Sequence, residues 1–225
     1  MNADLGKKWD YENGFYLAAD VGRLTKALAQ WELFKAIPRG DVVEVGVFKG
    51  SSLMRLAEYR RAKDDNEYRA IVGFDTFGYF PTDQVHSSHD KSFIKEFIRQ
   101  AGNPSDKEEI QFYIENKGFS NITLIEGNIF NTLPLYCHQK PEIALINLDV
   151  DAYEPTKEAL TQLLPSLVKG GVILLDDYAH CEGAKQACDE VLGKENIEAI
   201  AFYPNMRYYI KNHHGNHFDR NTRNY

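Results

Sequence analysis

The chain has 225 residues, 43% of them hydrophobic and 26% charged, which is the size of one globular domain with apolar material for a proper core. Lys and Arg number 26 against 33 Asp and Glu, a net charge of −7; generic nucleic-acid binding, which needs clustered cations, is disfavoured. No run approaches the ~20 apolar residues of a membrane span, Met1 to Asp10 is too polar for a signal peptide, and Cys137, Cys181 and Cys188 follow no disulfide or metal spacing. The expectation is a cytoplasmic protein with free thiols that binds neither nucleic acid nor membrane.

Leu17, Val21, Leu24, Leu28, Trp31 and Phe34 recur at steps of three and four, predicting one helix from Gly14 to Lys35. Its wide apolar face suits docking either on its own sheet or on a partner subunit, which leaves a homo-oligomer open. Pro38-Arg39-Gly40 closes this N-terminal helical segment (residues 1–40). Asp41 to Val45 is then a β-branched run stopping at Gly46, followed by a helix to Ala62 and a second buried strand from Ala70 to Asp75.

Between Gly78 and Gly118 the alternation breaks off for longer than a usual connection. Two short helices are expected there, one with Phe93, Ile94, Phe97 and Ile98 on a face, the other opened by a Ser105–Glu108 capping box. The segment reads as an inserted lid. Strands follow at Asn121–Glu126 and Glu142–Asp149, then a helix from Pro155 to Leu167. Gly170-Gly171 turns into the strand Val172–Leu175, a helix carries Ala184, Ala187 and Cys188, and two last strands precede a polar tail (212–225). Near-continuous apolar strands between amphipathic helices mean a parallel α/β sheet covered on both faces, with ligands at the carboxyl ends of the strands.

The acids gather at those ends. Glu44-Val-Gly46 through Gly50-Ser51 lets the backbone turn sharply before a helix start, yet it is neither a dinucleotide fingerprint nor a P-loop. An acid just before the first glycine suits a ligand with a positive amino group; a purely structural turn fits the same residues. Asp75 can accept from both hydroxyls of a ribose, or serve as a turn residue. Together they point to a nucleoside with a charged amino acid tail, a description that S-adenosylmethionine fits. Asp149 and Asp151 close one strand, Asp176 and Asp177 another. Carboxylates so gathered repel, and a hard divalent cation with an incomplete shell, Mg²⁺, resolves the repulsion; solvated acids capping helices are the plainer reading.

Glu44-Val-Gly-Val-Phe-Lys-Gly50, Phe74-Asp-Thr-Phe77, Glu126-Gly-Asn-Ile-Phe-Asn-Thr-Leu-Pro134, Leu148-Asp-Val-Asp-Ala-Tyr-Glu-Pro-Thr156 and Gly170-Gly-Val-Ile-Leu-Leu-Asp-Asp-Tyr178 together resemble the macrocin O-methyltransferase (TylF/MycF/NovP-type) family, in order from about Asp41 to Leu192. The resemblance implies a Rossmann-like class I methyltransferase with a mostly parallel seven-stranded sheet, helices on both faces and an inserted lid. It implies S-adenosylmethionine and Mg²⁺ as cofactors and a hydroxyl of a natural-product or nucleotide-linked sugar as acceptor. It places the metal on Asp149, Asp176 and Asp177, and the general base at Asp151. The cofactor falls to Glu44, Gly46, Gly50, Ser51, Asp75, Thr76, Gly127 and Asn128, although the family commonly has an acid where Asn128 stands. Asp151 equally fits an acceptor that only orients the metal ligands.

His86 and His89, with Tyr79 and Phe80, lie in the lid; they read as surface groups or as a cover for substrate. His213, His214 and His217 read as solvated tail residues, and Arg207 with Tyr208 and Tyr209 as the end of the last strand. A catechol or phenol acceptor would chelate the same cation. A nicotinamide-dependent oxidoreductase lacks its glycine fingerprint here, and a non-catalytic cofactor-binding subunit would have no need of the clustered acids.

Overall fold

The computed structural model describes residues 4–63 and 68–211. The tail (212–225), with its three histidines, lies outside the described residues. Two helices, α1 (Lys8–Ala18) and α2 (Gly22–Phe34), precede β1 (Asp41–Val45) and α3 (Ser51–Ala62). Then come β2 (Ile71–Asp75), α4 (Ser88–Ala101), α5 (Lys107–Asn116) and β3 (Ile122–Glu126), followed by α6 (Ile129–Cys137) and β4 (Ile143–Leu148). The chain continues through α7 (Tyr153–Leu163), β5 (Leu167–Leu175), α8 (Glu182–Cys188), β6 (Ile197–Ile200) and β7 (Tyr203–Ile210).

The seven strands form one sheet in the order β3-β2-β1-β4-β5-β7-β6. Neighbours from β3 to β5 are parallel, and β7 runs antiparallel to β5 and β6. Alternate strand residues feed two cores, as a sheet covered on both faces requires. Val42, Ile71, Leu124 and Leu145 pack with Leu53, Leu56, Ile110 and Phe34 on one face. Val43, Phe74, Ile146 and Ile173 pack with Leu133, Leu160, Leu163 and Cys188 on the other.

Several elements differ from the sequence expectation. The N-terminal helix is two helices separated by an extended Ala19. Only α2 docks on the sheet, through Ala29, Gln30, Leu33 and Phe34; α1 buries nothing, and Leu17 and Val21 are 86% and 93% exposed. The cap of α5 is Asp106, which accepts from Glu109 N–H at 2.7 Å, rather than Ser105. The helix predicted to reach Leu167 begins at Tyr153 and ends at Leu163. Residues 164–166 form a 3₁₀ turn, and β5 starts at Leu167 and runs through Gly170 and Gly171. The glycine pair forms an irregularity within β5: pairing with β4 jumps from Ile143–Leu167 to Leu145–Val172, Gly170 has φ +76°, and Lys211 N–H donates to Gly171 O at 3.0 Å.

Within the 78–118 segment, Ile110 and Ile114 of α5 belong to the main core, whereas Ile94 of α4 joins a small separate cluster with Val85 and Ala152.

Arg60, fully buried in α3, ties the lower sheet together. Its Nη1 donates to the carbonyls of Arg69 (2.8 Å) and Asn121 (2.9 Å), and Nη2 donates to Ser120 O. Arg60→Met leaves three carbonyls at the entries to β2 and β3 without this donor. It is expected to cost about 2–4 kcal/mol, read as a lower urea midpoint at unchanged m-value.

Candidate active site

The parallel ladder brings the acid-bearing loops into a row. Gly46 N–H donates to Phe74 O and Asp149 N–H to Val45 O, each at 2.9 Å, while Asp176 N–H donates to Leu148 O at 3.1 Å and Gly127 N–H to Asp75 O at 2.9 Å. The residues just past β1, β2, β3, β4 and β5 therefore share the carboxyl edge of the sheet. Gly46 has φ +95°, and a Cβ on it would stand 1.7 Å from Asp149 O; only glycine lets the first loop lie this close to the β4 loop.

A cleft of about 970 Å³, counted out to its open mouth, runs along this edge. Gly46, Asp75, Thr76, Gly127, Asn128, Asp149 and Asp151 line its floor, and Phe80, Gln84, Val85, Ile94 and Phe97 from the 78–104 stretch line its roof. Every charged side chain in the lining is an acid. Phe97 of α4 packs on Phe48 of the first loop at 5.2 Å between centroids.

Asp149, Asp151 and Asp177 each present a carboxylate oxygen within 4.8 Å of the others. Burial, then the charges of Asp176 and Asp177, pushes Asp149 well above the ordinary carboxylate range. Burial and Asp149 raise Asp151 to about 7. Asp177 is raised as well, by burial and then by Asp151 and Asp176, even though its Oδ2 accepts the N–H groups of Val150 (3.0 Å) and Asp151 (2.9 Å). Asp151 holds a left-handed backbone, φ +58°, a conformation uncommon for residues other than glycine but one that aspartate tolerates better than most.

Asp176, expected with the metal set, lies beside this group without being one of the three, and its charge is the largest that Asp149 feels. It pairs with Lys26 of α2, whose Nζ lies 2.6 and 2.8 Å from its two oxygens. Lys26 is a partner of the acid row that sequence reasoning missed. It is 150 positions from its partner and carries no local motif; only the docking of α2 puts it here.

The expected cofactor residues divide. Gly46, Asp75, Thr76, Gly127 and Asn128 line the cleft, while Glu44, Gly50 and Ser51 do not. Asp75 spends Oδ2 on the N–H groups of Val47 and Phe48, both at 2.8 Å, and Oδ1 on Phe77 N–H at 2.9 Å. Oδ1 also accepts from the Thr76 hydroxyl at 3.4 Å, so Asp75 clamps the first loop with both oxygens. Asn128 caps α6 by accepting Phe130 N–H at 3.1 Å and donates Nδ2 to Gln84 Oε1 at 2.7 Å. It thus joins floor to roof where the family commonly has an acid. Gly50, φ +78°, begins α3 against Ile110, and Ser51 is exposed.

Glu44 is fully buried beneath the start of α3, accepting from Asn147 Nδ2 at 2.7 Å, while its Oε2 and Asn147 Oδ1 lack partners of hydrogen-bonding geometry. Burial raises it to about 7, against the opposing pull of Ser52 and Asn147.

A doubly wound sheet of this order, with ligand-binding loops on its carboxyl edge, is that of the class I methyltransferases. The family model for macrocin-O-methyltransferase (TylF) matches residues 22–202, and the chain belongs to that family. It is 28% identical over 162 residues to demethyldecarbamoylnovobiocin O-methyltransferase of Streptomyces niveus, covering 70% of this chain and 60% of that protein. It is 29% identical over 160 residues to 8-demethyl-8-(2,3-dimethoxy-alpha-L-rhamnosyl)-tetracenomycin-C 4'-O-methyltransferase of Streptomyces olivaceus, again covering 70% and 60%. These matches span about three fifths of the relatives' lengths. Among solved structures, apo CalS11, a TDP-rhamnose 3'-O-methyltransferase of calicheamicin biosynthesis, superposes with a TM-score of 0.63 at 25% identity, covering 93% of this chain and 88% of that one. No helix among the described residues is long and apolar enough to cross a membrane.

The Glu44 carboxyl makes stability pH-dependent. Its pKa is about 7 in the fold against 4.5 unperturbed, so folding takes up a proton between these values. Its contribution is full below about pH 4.5 and is lost as pH rises through about 7. Relative to Glu44→Gln, the cofactor-free protein is therefore expected to lose about 3 kcal/mol between pH 4.5 and pH 8, measured by urea denaturation at each pH.

Proposed function

We propose that the protein transfers a methyl group from S-adenosylmethionine to a hydroxyl of a sugar, carried by a natural product or a nucleotide, with Mg²⁺ at the aspartate cluster. The observation that carries this reading is the convergence of Asp149, Asp151 and Asp177 beside the glycine turn, in a chain of this family.

The residues fit both groups. A sulfonium and an ammonium suit a cleft whose charged lining is wholly acidic, and Gly46 lets the first loop close up against Asp149 at its floor. Hard carboxylate oxygens with few other partners are the donor set of Mg²⁺. Asp149 and Asp177 would hold the ion, with Asp176 as the third ligand that the resemblance implies; Asp176 would have to part from Lys26 to serve. When bound, the cation would lower the pKa of an acceptor hydroxyl, and the sulfonium would supply the electrophilic methyl.

The chain's own part is proton removal and positioning. Asp151 is raised to about 7 in the metal-free cluster by burial and by Asp149; a cation on Asp149 and Asp177 would remove that repulsion and leave Asp151 an ionised general base near neutrality. Its carboxylate takes the hydroxyl proton as the oxygen attacks, while the Asp177 contacts to its backbone N–H fix its direction. The Asp75 clamp on Val47 and Phe48 holds the first loop against the donor. The stretch from Gly78 to Pro104 covers the cleft and excludes water, and most of the remaining acceleration is orientation.

Methyl transfer from labelled S-adenosylmethionine would be assayed against a glycosylated natural product, a nucleotide sugar and a catechol. Sugar acceptors are expected to be methylated and the catechol left unchanged. Asp149→Asn is expected to lose metal-dependent turnover by about 100-fold or more while cofactor binding by calorimetry persists. Full activity in excess chelator would eliminate the metal from this reading.

A further inference from the structure

Asp90 stands in the first turn of α4, where a charged residue ordinarily meets water, yet it is 1% exposed. Its Oδ2 accepts the N–H of Tyr153, the first residue of α7, at 3.0 Å. Gly183, at the start of α8, lies against the same carboxylate so closely that a Cβ there would be 1.9 Å from Oδ2. The Cys181 thiol, just before α8, stands 4.0 Å from Asp90 Oδ1 and donates to the carbonyl of Asp151 at 3.1 Å. Around this contact, Ser87 caps α4 by accepting Asp90 N–H at 3.2 Å, and His86 N–H donates to Glu154 Oε1 at 3.0 Å. The exposed His89 ring lies 3.8 Å from Oδ1.

The placement matters because α7 follows the loop bearing Asp149 and Asp151, and α8 follows the loop bearing Asp176 and Asp177. One buried carboxyl from the roof accepts an N–H at the start of α7 and packs against Gly183 at the start of α8. Asp151 lies between. On one side Asp177 accepts its N–H; on the other, Cys181 holds its carbonyl and Asp90 holds the N–H of Tyr153. The left-handed turn at Asp151 is thus fixed by hydrogen bonds on both flanks.

We propose that Asp90 is a positioning residue for the aspartate cluster: wedged between the starts of α7 and α8, it fixes the Asp151 loop relative to Asp177 and couples the seating of α4 to the geometry of the site. Asp90 touches no reacting atom and acts through the peptide units of residues 151–153. The catalytic half of the inference rests on the metal-site reading above; the structural half does not.

The test compares the full chain with Asp90→Ala, Asp90→Asn and Gly183→Ala. Asn keeps an oxygen for Tyr153 N–H, whereas the methyl group that Gly183→Ala adds would force the carboxylate away. Mn²⁺ affinity by electron paramagnetic resonance is expected to weaken about tenfold or more in Asp90→Ala and Gly183→Ala, with Asp90→Asn substantially rescued. Turnover should fall in parallel with KM for S-adenosylmethionine unchanged. Hydrogen exchange in peptides spanning 149–156 should quicken in the same two variants without metal. If the wild type binds Mn²⁺ and Asp90→Ala binds it equally well, or if only the melting temperature drops, the proposal is overturned. If the wild type binds no Mn²⁺, the metal reading fails instead, and unaltered exchange at 149–156 would still overturn the clasp.

Discussion

Like charges held together against their repulsion are the constraint on which this architecture turns. At an effective dielectric constant near 20, two carboxylates about 5 Å apart repel by about 3 kcal/mol, and the cluster holds three, with Asp176 beside them. The crowding follows from the ladder. Once β1, β4 and β5 are in parallel register, Asp149 N–H must meet Val45 O and Asp176 N–H must meet Leu148 O, and the loops that follow have nowhere else to go. The fold answers in three ways. Asp177 spends an oxygen on two backbone N–H groups, Lys26 arrives from α2 to neutralise Asp176, and burial raises the pKa of all three clustered acids, which disfavours their ionising together. A divalent cation would answer better than any of them, which is why a cluster so costly to ionise reads as a site rather than as scaffolding.

The cleft beside it has one electrostatic character and two walls. Its floor is backbone and acid, laid down by the strand ends. Its roof is apolar and comes from the stretch between β2 and α5. Among the contacts that hold roof to floor are the Phe48–Phe97 rings, the Asn128–Gln84 amides, the His86 N–H bond to Glu154 and the buried Asp90 carboxylate. The polar ones reach from the roof to the site's loops and the start of α7, so a change in how α4 sits cannot leave those loops unmoved.

Much of the layout was legible from residue order. The β-branched runs ending in glycine or acid, the amphipathic segments between them and the acids at the strand ends yield a parallel sheet with a loaded carboxyl edge. Where local reading erred, a tertiary contact or a competing neighbour decided. Ser105 and Asp106 both make good caps, and Asp106 won. Gly170-Gly171 is a turn signal, and the pair falls inside β5 as an irregularity, Gly170 at φ +76° where the register with β4 shifts. The apolar stripe from Leu17 to Phe34 is continuous in sequence, but only its second half meets the sheet.

The sequence by itself determined the strands, their direction and the identity of the acids, because alternation, glycine and helix-start chemistry act over a few residues. It also carried the family, through motifs that keep their order along the chain. Tertiary structure alone decided which acids share a space and which take other partners. Asp151 joins Asp149 and Asp177, Asp176 turns to Lys26, Glu44 withdraws beneath α3, and Asp75 clamps the first loop. Those outcomes depend on groups up to 150 positions apart, and no periodicity within a helix or a strand encodes a distance of that kind.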